Sequence, residues 1–258
     1  MEEKDKESNF KKEAKSIGFI LFIAFLIRVF IMEPFYIPSS SMKDTLVRGD
    51  YVFATKYDYG FSKYSMIFVN PDFIKGRIMS AQPERGDIII MRPPHDMSTR
   101  YIKRLIGLPG DKVQIRNSIL YINGVKVERK EIAEYKDEAG TYTKYIETLP
   151  NGVKYHVLQL KGEVGDERLR YANNTEEFVV PQGKYFFLGD NRDQSGDSRF
   201  QLGFVPFENF IAKARFFYFS TAQELWSGNL GFMSQIKQVY YWLASFRFSR
   251  FFRSVYAV

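Results

Sequence analysis

Three serines, Ser39, Ser40 and Ser41, follow Pro38 in the segment PSSSMKDTL. By residue type alone a Pro-Ser-Ser-Ser run reads as a solvated turn, but each hydroxyl is also a latent nucleophile. A serine hydroxyl is weak until a neighbouring base takes its proton. The chain has two histidines, His95 and His156, and no cysteine. A cysteine nucleophile, a thiolate metal site and a disulfide framework are therefore excluded, and a histidine base has two candidates at most. The other base available to serine is a neutral lysine amine. Lys103, in YIKRLIGLPGDKV, is the candidate. Strand alternation puts Tyr101, Lys103 and Leu105 on one face and Ile102, Arg104 and Ile106 on the other, so pattern alone does not say which basic residue is buried. Chemistry distinguishes them, because guanidinium keeps its proton in proteins whereas an ammonium can lose one. Bringing a lysine down from about 10.4 to between 7 and 8 costs about 3 to 5 kcal/mol, which burial away from a carboxylate can supply. The plain alternative is a surface lysine on a strand.

A third cluster is GDNRDQSGDSRF, Gly189 to Phe200. Its acidic spacing hints at a calcium loop from Asp193, but the twelfth position holds Phe204 where a bidentate glutamate is required. A hydrogen-bonded acidic turn remains. GLPGDK lacks both the glycine spacing and the Ser/Thr of a phosphate loop, and neither G-x-S-x-G nor H-E-x-x-H occurs.

These residues need a scaffold, and the first element that positions them is apolar. From Ile17 to Met32 the chain runs IGFILFIAFLIRVFIM, short against the roughly 20 residues of a spanning helix and carrying Arg28. An arginine near one end can snorkel, and Phe35 and Tyr36 suit an interface, so a single transmembrane anchor over residues 16–32 is expected, with a buried core helix as the alternative. Glu33, Pro34, Phe35, Tyr36, Ile37 and Pro38 follow in place of a small-residue cleavage site, which predicts a retained segment. Lys4, Lys6, Lys11, Lys12 and Lys15 lie upstream, against Lys43 and Arg48 downstream, so residues 1–15 are expected in the cytoplasm and the remainder outside. Nine residues separate Ser41 from Met32, which keeps its hydroxyl within roughly 30 Å of the membrane exit.

Beyond the anchor the texture is that of strands: YVFATKY (Tyr51 to Tyr57), DIIIM (Asp87 to Met91), YIKRLIGL (Tyr101 to Leu108), a KVQIR/ILYING hairpin about Asn117-Ser118, then FVVPQGKYFFLGD and FIAKARFFYF. Turn signals separate them and long helical patterns do not, which favours antiparallel sheet. The expected plan is mainly β: an antiparallel-sheet catalytic body over residues 33–224, preceded by one N-terminal transmembrane helix, with a more polar insert at about 128–177 forming a second lobe.

Net charge is +7. Four of those charges, Lys237, Arg247, Arg250 and Arg253, fall in a tail over residues 225–258 that has no acidic residue and is rich in aromatics. Ile236, Val239, Tyr240, Leu243 and Phe246 recur at helical spacing, which predicts an amphipathic helix on anionic lipid rather than a nucleic-acid groove. A helix packed on the β body and a second spanning helix are the alternatives.

Taken in order, the anchor, PSSSM, YVFATKYDYG, ERGDIIIM, YIKRLIGLPGDKV and GDNRDQSGDSRFQLGFVP resemble bacterial type I signal peptidase (leader peptidase), a family of Ser-Lys dyad serine proteases. The resemblance implies a membrane-anchored serine endopeptidase that cleaves N-terminal signal peptides from exported preproteins after small residues, through an acyl-enzyme. Ser41 would be the nucleophile and Lys103 the general base. Ser39 would supply its hydroxyl, with the Ser41 backbone N–H, to the oxyanion hole, and such a donor is worth about 3 to 4 kcal/mol. Ser195 would orient the Lys103 amine while Asp197 and Arg199 brace its loop. Phe35, Ile37, Met42, Leu46, Tyr101 and Ile102 would line shallow apolar subsites. No metal or cofactor is implied. The implied partners are preprotein signal peptides and membrane lipid, with no nucleic acid, for a monomer in the bacterial cytoplasmic (inner) membrane.

One position departs from the family pattern, which usually has proline where this chain has Asp44. A fixed φ is lost just past Ser41, and an acid beside Lys103 would hold the ammonium protonated. Two other readings compete. A self-cleaving Ser-Lys repressor-type protease would carry a DNA-binding domain where this chain has its anchor. A catalytically dead preprotein-binding protein would not need Ser41, Lys103 and Ser195 intact.

Overall fold

The computed structural model describes residues 2–65, 75–162, 166–222 and 239–258, with side chains from Phe10 onward. Helix α1 (Glu2–Leu26) runs into a π-turn at Ile27–Ile31 and stops where β1 (Met32–Tyr36) begins. Fourteen strands follow among the described residues: β2 (Asp50–Thr55), β3 (Ile88–Met91), β4 (Tyr101–Gly107), β5 (Lys112–Arg116), β6 (Ile119–Ile122), β7 (Val125–Lys126), β8 (Glu128–Asp137), β9 (Gly140–Thr148), β10 (Lys154–Leu160), β11 (Phe178–Val179), β12 (Lys184–Leu188), β13 (Val205–Pro206) and β14 (Phe210–Ser220) complete the set that β1 opens. A short helix α2 (Glu167–Asn173) lies between β10 and β11.

The strands form three sheets, and every named strand pair is antiparallel: seven strands in the order β1-β2-β14-β3-β4-β12-β13, four in the order β11-β5-β6-β7, and three in the order β10-β9-β8. The chain is thus mainly β, as its turn-punctuated strand texture requires. The predicted hairpin turns at Asn117 and Ser118, both at positive φ, which suits the right-handed twist of the strands it joins. The polar region from Glu128 turned out to be the three-stranded sheet plus α2. Its strand signal is weak in sequence because β8 is an edge strand with most side chains exposed, which removes the inward/outward alternation.

Central strands β3 and β4 are almost wholly buried, so their residues read as an unbroken apolar run in Ile88–Met91 and force two basic side chains inside in Tyr101–Gly107. Ile37, Met42 and Leu46 pack beneath the serine turn against Val52, Ile88, Ile90 and Ile102. Burying such side chains contributes about 1.5 to 3 kcal/mol each and fixes the turn to the sheet.

One helix among the described residues is long and apolar enough to cross a membrane, over Phe10–Ile31, with mean hydropathy 2.2 and 6% of its apolar window buried. Its 22 residues give about 33 Å at 1.5 Å per residue, against a hydrocarbon core of about 30 Å. The helix extends upstream of Ile17, so the stretch is longer than the sixteen apolar residues alone indicate, and Met32 belongs to the first strand. Just past it the Glu33 carboxylate is buried and gathers three cations: Lys56 at 2.9 Å, Arg100 at 3.2 Å and Arg28 at 3.9 Å.

Within the described residues the tail packs on the β body, the alternative to a helix lying on lipid. Residues 239–244 are helical and the following residues are irregular, packed on β14 and the turn before β2. Phe219 stacks with Trp242, Phe246 and Phe251 at 4.8–5.7 Å between ring centres. Arg250 makes a two-pronged contact to the buried Asp50 at 3.0 and 2.6 Å, and Arg247 adds a donor to Ser220 at 2.8 Å. Arg247 also lies 3.6 Å from the Asp50 carboxylate, and Val255 enters the core. Ile236, Lys237 and Glu224 lie outside the described residues, as do the side chains of Lys4 and Lys6.

Candidate active site

The turn after Pro38 and strand β4 meet at one atom pair. Lys103 Nζ donates to Ser41 Oγ at 2.6 Å and to the Ile102 carbonyl at 3.2 Å, and both residues are buried, at 5% and 7% exposure. β4 sits between β3 and β12, so Lys103 faces Ile89 across the ladder and is shut off from water. Burial pushes its ammonium down to about 8 from the ordinary 10.5, although Asp197 and Asp190 pull in the opposite direction from a distance. Among the described residues no carboxylate forms an ion pair with it.

Arg104, one residue along and facing the other way, shows why. Its guanidinium takes Asp190 in a two-pronged contact at 2.8 and 2.7 Å with both side chains at 1% exposure. The ambiguity left by strand alternation is resolved by burying both basic residues: the arginine receives the nearby carboxylate and the lysine receives a hydroxyl. Such a pairing keeps the arginine charged, while the lysine is left in the environment that favours its neutral form.

Ser39 Oγ lies 3.3 Å from Ser41 Oγ. The loop after β12 closes the site from the other side. Asn191 N–H donates to the Ser41 carbonyl at 3.1 Å and its side-chain amide to the Ser40 carbonyl at 3.3 Å. A Cβ on Gly189 would lie 2.3 Å from Ser195 Oγ and 2.4 Å from the Ser41 carbonyl, so a larger residue would push the serine turn and the loop apart. Residue types in the GDNRD segment do not by themselves assign Gly189 and Asn191 a part. The signal available was a glycine directly at a strand end followed by an amide beside the serine turn.

Asp197 is fully buried, accepts from Gly189 N–H at 3.0 Å and pairs with Arg199 through both carboxylate oxygens at 2.9 and 2.8 Å. Burial alone would raise this carboxyl, and the Arg199 guanidinium outweighs it and holds it low. Arg199 also donates to the Ala172 carbonyl at 3.0 Å, tying α2 to the loop. Ser195 Oγ is buried and its interaction with Asp197 helps hold that carboxyl low, while no hydrogen bond to Lys103 is formed among the described residues.

Of the apolar residues expected to line subsites, Ile37, Met42 and Leu46 are at 0–1% exposure and belong to the core, Ile102 is buried at 9%, and Phe35 and Tyr101 are half-buried. Phe35 packs against the same core and Tyr101 beside Met91, Leu105 and their neighbours. Asp44 is not among the charges that act on Lys103. Burial pushes its carboxyl up, but His156 and Lys144 outweigh this and hold it at about 2. Lys144 Nζ approaches at 2.5 Å and His156 Nδ1 at 3.3 Å. That accounts for one histidine, and His95 lies beside the Tyr101 ring, 6.2 Å between centres. Among the described residues no group of three or more His, Asp or Glu is arranged to hold a metal ion.

The chain as a whole is similar to known proteins. The family model described as signal peptidase, peptidase S26, matches residues 10–219. Two relatives named signal peptidase I are those of Rickettsia canadensis (strain McKiel), 54% identical over 252 residues covering 95% of this chain and 93% of the relative, and of Rickettsia prowazekii (strain Madrid E), 52% identical over 252 residues covering 96% and 95%. A solved signal peptidase I from Enterococcus faecalis V583 is 31% identical and matches over 52% of this chain and 97% of its own, with a TM-score of 0.32. The chain belongs to the signal peptidase family, peptidase S26. Its activity is that of a signal peptidase I, a serine endopeptidase that cleaves signal peptides.

Proposed function

We propose that cleavage proceeds by acyl transfer with Ser41 as nucleophile and Lys103 as general base. The observation that carries this reading is the 2.6 Å contact between a buried serine hydroxyl and an amine that burial brings to about 8. The neutral amine takes the Ser41 proton as Oγ attacks the carbonyl after a small residue of the preprotein. The resulting ammonium then protonates the leaving amine, and an acyl-enzyme remains. A water, deprotonated by the same amine, hydrolyses it. The oxyanion is received by the Ser41 backbone N–H and the Ser39 hydroxyl. Ser195 orients the Lys103 amine, while Asp197 and Arg199 keep its loop closed. Phe35, Tyr101 and Ile102 offer the apolar surface a substrate strand touches, with Ile37, Met42 and Leu46 shaping its floor from below.

The apolar helix over Phe10–Ile31 is proposed to anchor the chain in the bacterial cytoplasmic membrane as a single-pass monomer, N-terminus inside and the β body outside. Preproteins emerging at the bilayer surface then meet Ser41 close to where they leave the membrane. Ser41→Ala, assayed on a preprotein with an Ala-x-Ala cleavage site, is expected to abolish turnover with the melting temperature unchanged. Cleavage persisting in that variant would refute the serine assignment. Retention of the chain in the membrane pellet after alkaline carbonate extraction tests the anchor, and release into the supernatant would refute it.

A further inference from the structure

Three consecutive side chains just past the serine turn each reach a different partner far away in sequence. Lys43 Nζ donates to Asp137 at the end of β8 and lies 5.1 Å above the Tyr135 ring. Asp44 receives Lys144 of β9 and His156 of β10. Thr45 donates to Asp190 at 2.5 Å. The first two land on the three-stranded sheet. That sheet also holds the opposite wall: Glu147 of β9 and Tyr155 of β10 enclose the Arg192 guanidinium, with Nη1 to Glu147 Oε1 and Nη2 to Tyr155 Oη both at 3.0 Å. Arg192 is adjacent to Asn191, which holds the Ser40 and Ser41 carbonyls. One small sheet therefore grips the serine turn from its C-terminal side and the loop that closes on it.

We propose that the β8–β10 sheet is a clamp on the nucleophile turn, with Lys43 and Asp137 as positioning residues that set the Ser41 hydroxyl against the Lys103 amine. The proposal rests on Ser41 and Lys103 acting as nucleophile and base. Lys43 and Asp137 are partly exposed, at 20% and 18%, and a pair of that kind adds little to global stability. Its leverage is geometric, because Lys43 is two residues from Ser41 and a displacement of about 1 Å at a reacting atom costs on the order of a hundredfold in rate. Neither residue touches the reacting atoms.

The test uses the full chain in detergent and a preprotein substrate. Lys43→Asp, Asp137→Lys, the milder Asp137→Asn and the exchanged pair Lys43→Asp with Asp137→Lys are compared for kcat, KM and melting temperature, with Ser41→Ala alongside. The expected result is an about tenfold lower kcat in each charge reversal, a smaller loss in Asp137→Asn, and KM and melting temperature nearly unchanged. The exchanged pair should return to within about threefold of the parent. The clamp is overturned if the single variants keep the parent kcat, if the exchanged pair is as slow as the two losses multiplied, or if kcat falls only in step with melting temperature. Activity in Ser41→Ala would instead remove the serine assignment on which the clamp depends.

Discussion

A lysine stored inside a sheet without a counter-ion costs folding free energy, and at Lys103 that cost is the source of its basicity. Its folded value of about 8 lies below the ordinary 10.5, so between those two values the unfolded chain binds the extra proton and stability rises with pH. Below about pH 8 the full penalty applies, about 3 kcal/mol for a shift of this size. Lys103→Met, which fills similar volume without charge, is therefore expected to be inactive yet more stable at pH 7, with the advantage shrinking as pH approaches 10.5. Thermal melting of both proteins across that range checks it; an equal or lower melting temperature for the methionine variant at pH 7 would contradict the account. The serine and lysine were legible as residue types and the family resemblance implied their meeting, but the strand pattern did not, because alternation along β4 offers Lys103 and Arg104 to opposite faces and says nothing about which face has the carboxylate. Asp190 decided that. The Asp44 side chain raised a legitimate concern from sequence, which its contacts to Lys144 and His156 remove: with those partners it does not hold the Lys103 proton.

At the scale of elements, apolar runs and turn residues carried most of the information. The strand through Ile88–Met91 was readable as a continuous apolar run, those through Tyr101–Gly107 and Phe210–Ser220 by their β-branched and aromatic residues, and the Asn117-Ser118 hairpin because its turn residues tolerate positive φ. The β8–β10 sheet was not, since its exposed edge strand has no apolar period and its role rests on polar contacts that sequence does not reveal. Arg192 and Glu147 are an example: both are buried, at 2% and 0%, 45 residues apart, and joined through two guanidinium nitrogens. Glu147→Ala would leave a guanidinium uncompensated in the interior, which typically costs about 3 to 5 kcal/mol. Chemical denaturation should show a loss of that order, and a loss below about 1 kcal/mol would mean that Arg192 finds water or another acceptor.

Across the whole molecule, charge placement in sequence did not reveal an internal partner. The cationic, aromatic tail has the composition of a lipid-binding segment, yet Arg247 and Arg250 converge on Asp50, fully buried at the start of β2, and the rings of Trp242, Phe246 and Phe251 close over Phe219. A single acid 200 residues upstream of Arg250 decides this, and no periodicity in the tail could signal it. The apolar helix, by contrast, was legible from hydropathy alone. Asp50→Ala is expected to free the tail: the arginines lose their carboxylate, the segment becomes protease-sensitive and the melting temperature falls. Limited proteolysis showing an equally protected tail in that variant would contradict the assignment of Asp50 as its anchor.

The central claim is that a neutral Lys103 activates Ser41, and the pH dependence of kcat/KM for preprotein cleavage by the full chain and its Lys103→Arg variant tests it most directly. The expected profile for the parent rises with pH through an apparent pKa near 8, because only the neutral amine can accept the serine proton, and Lys103→Arg is inactive at every pH since guanidinium keeps its proton. A parent profile without that rising limb, or more than a few per cent of parental activity in Lys103→Arg, would contradict the account.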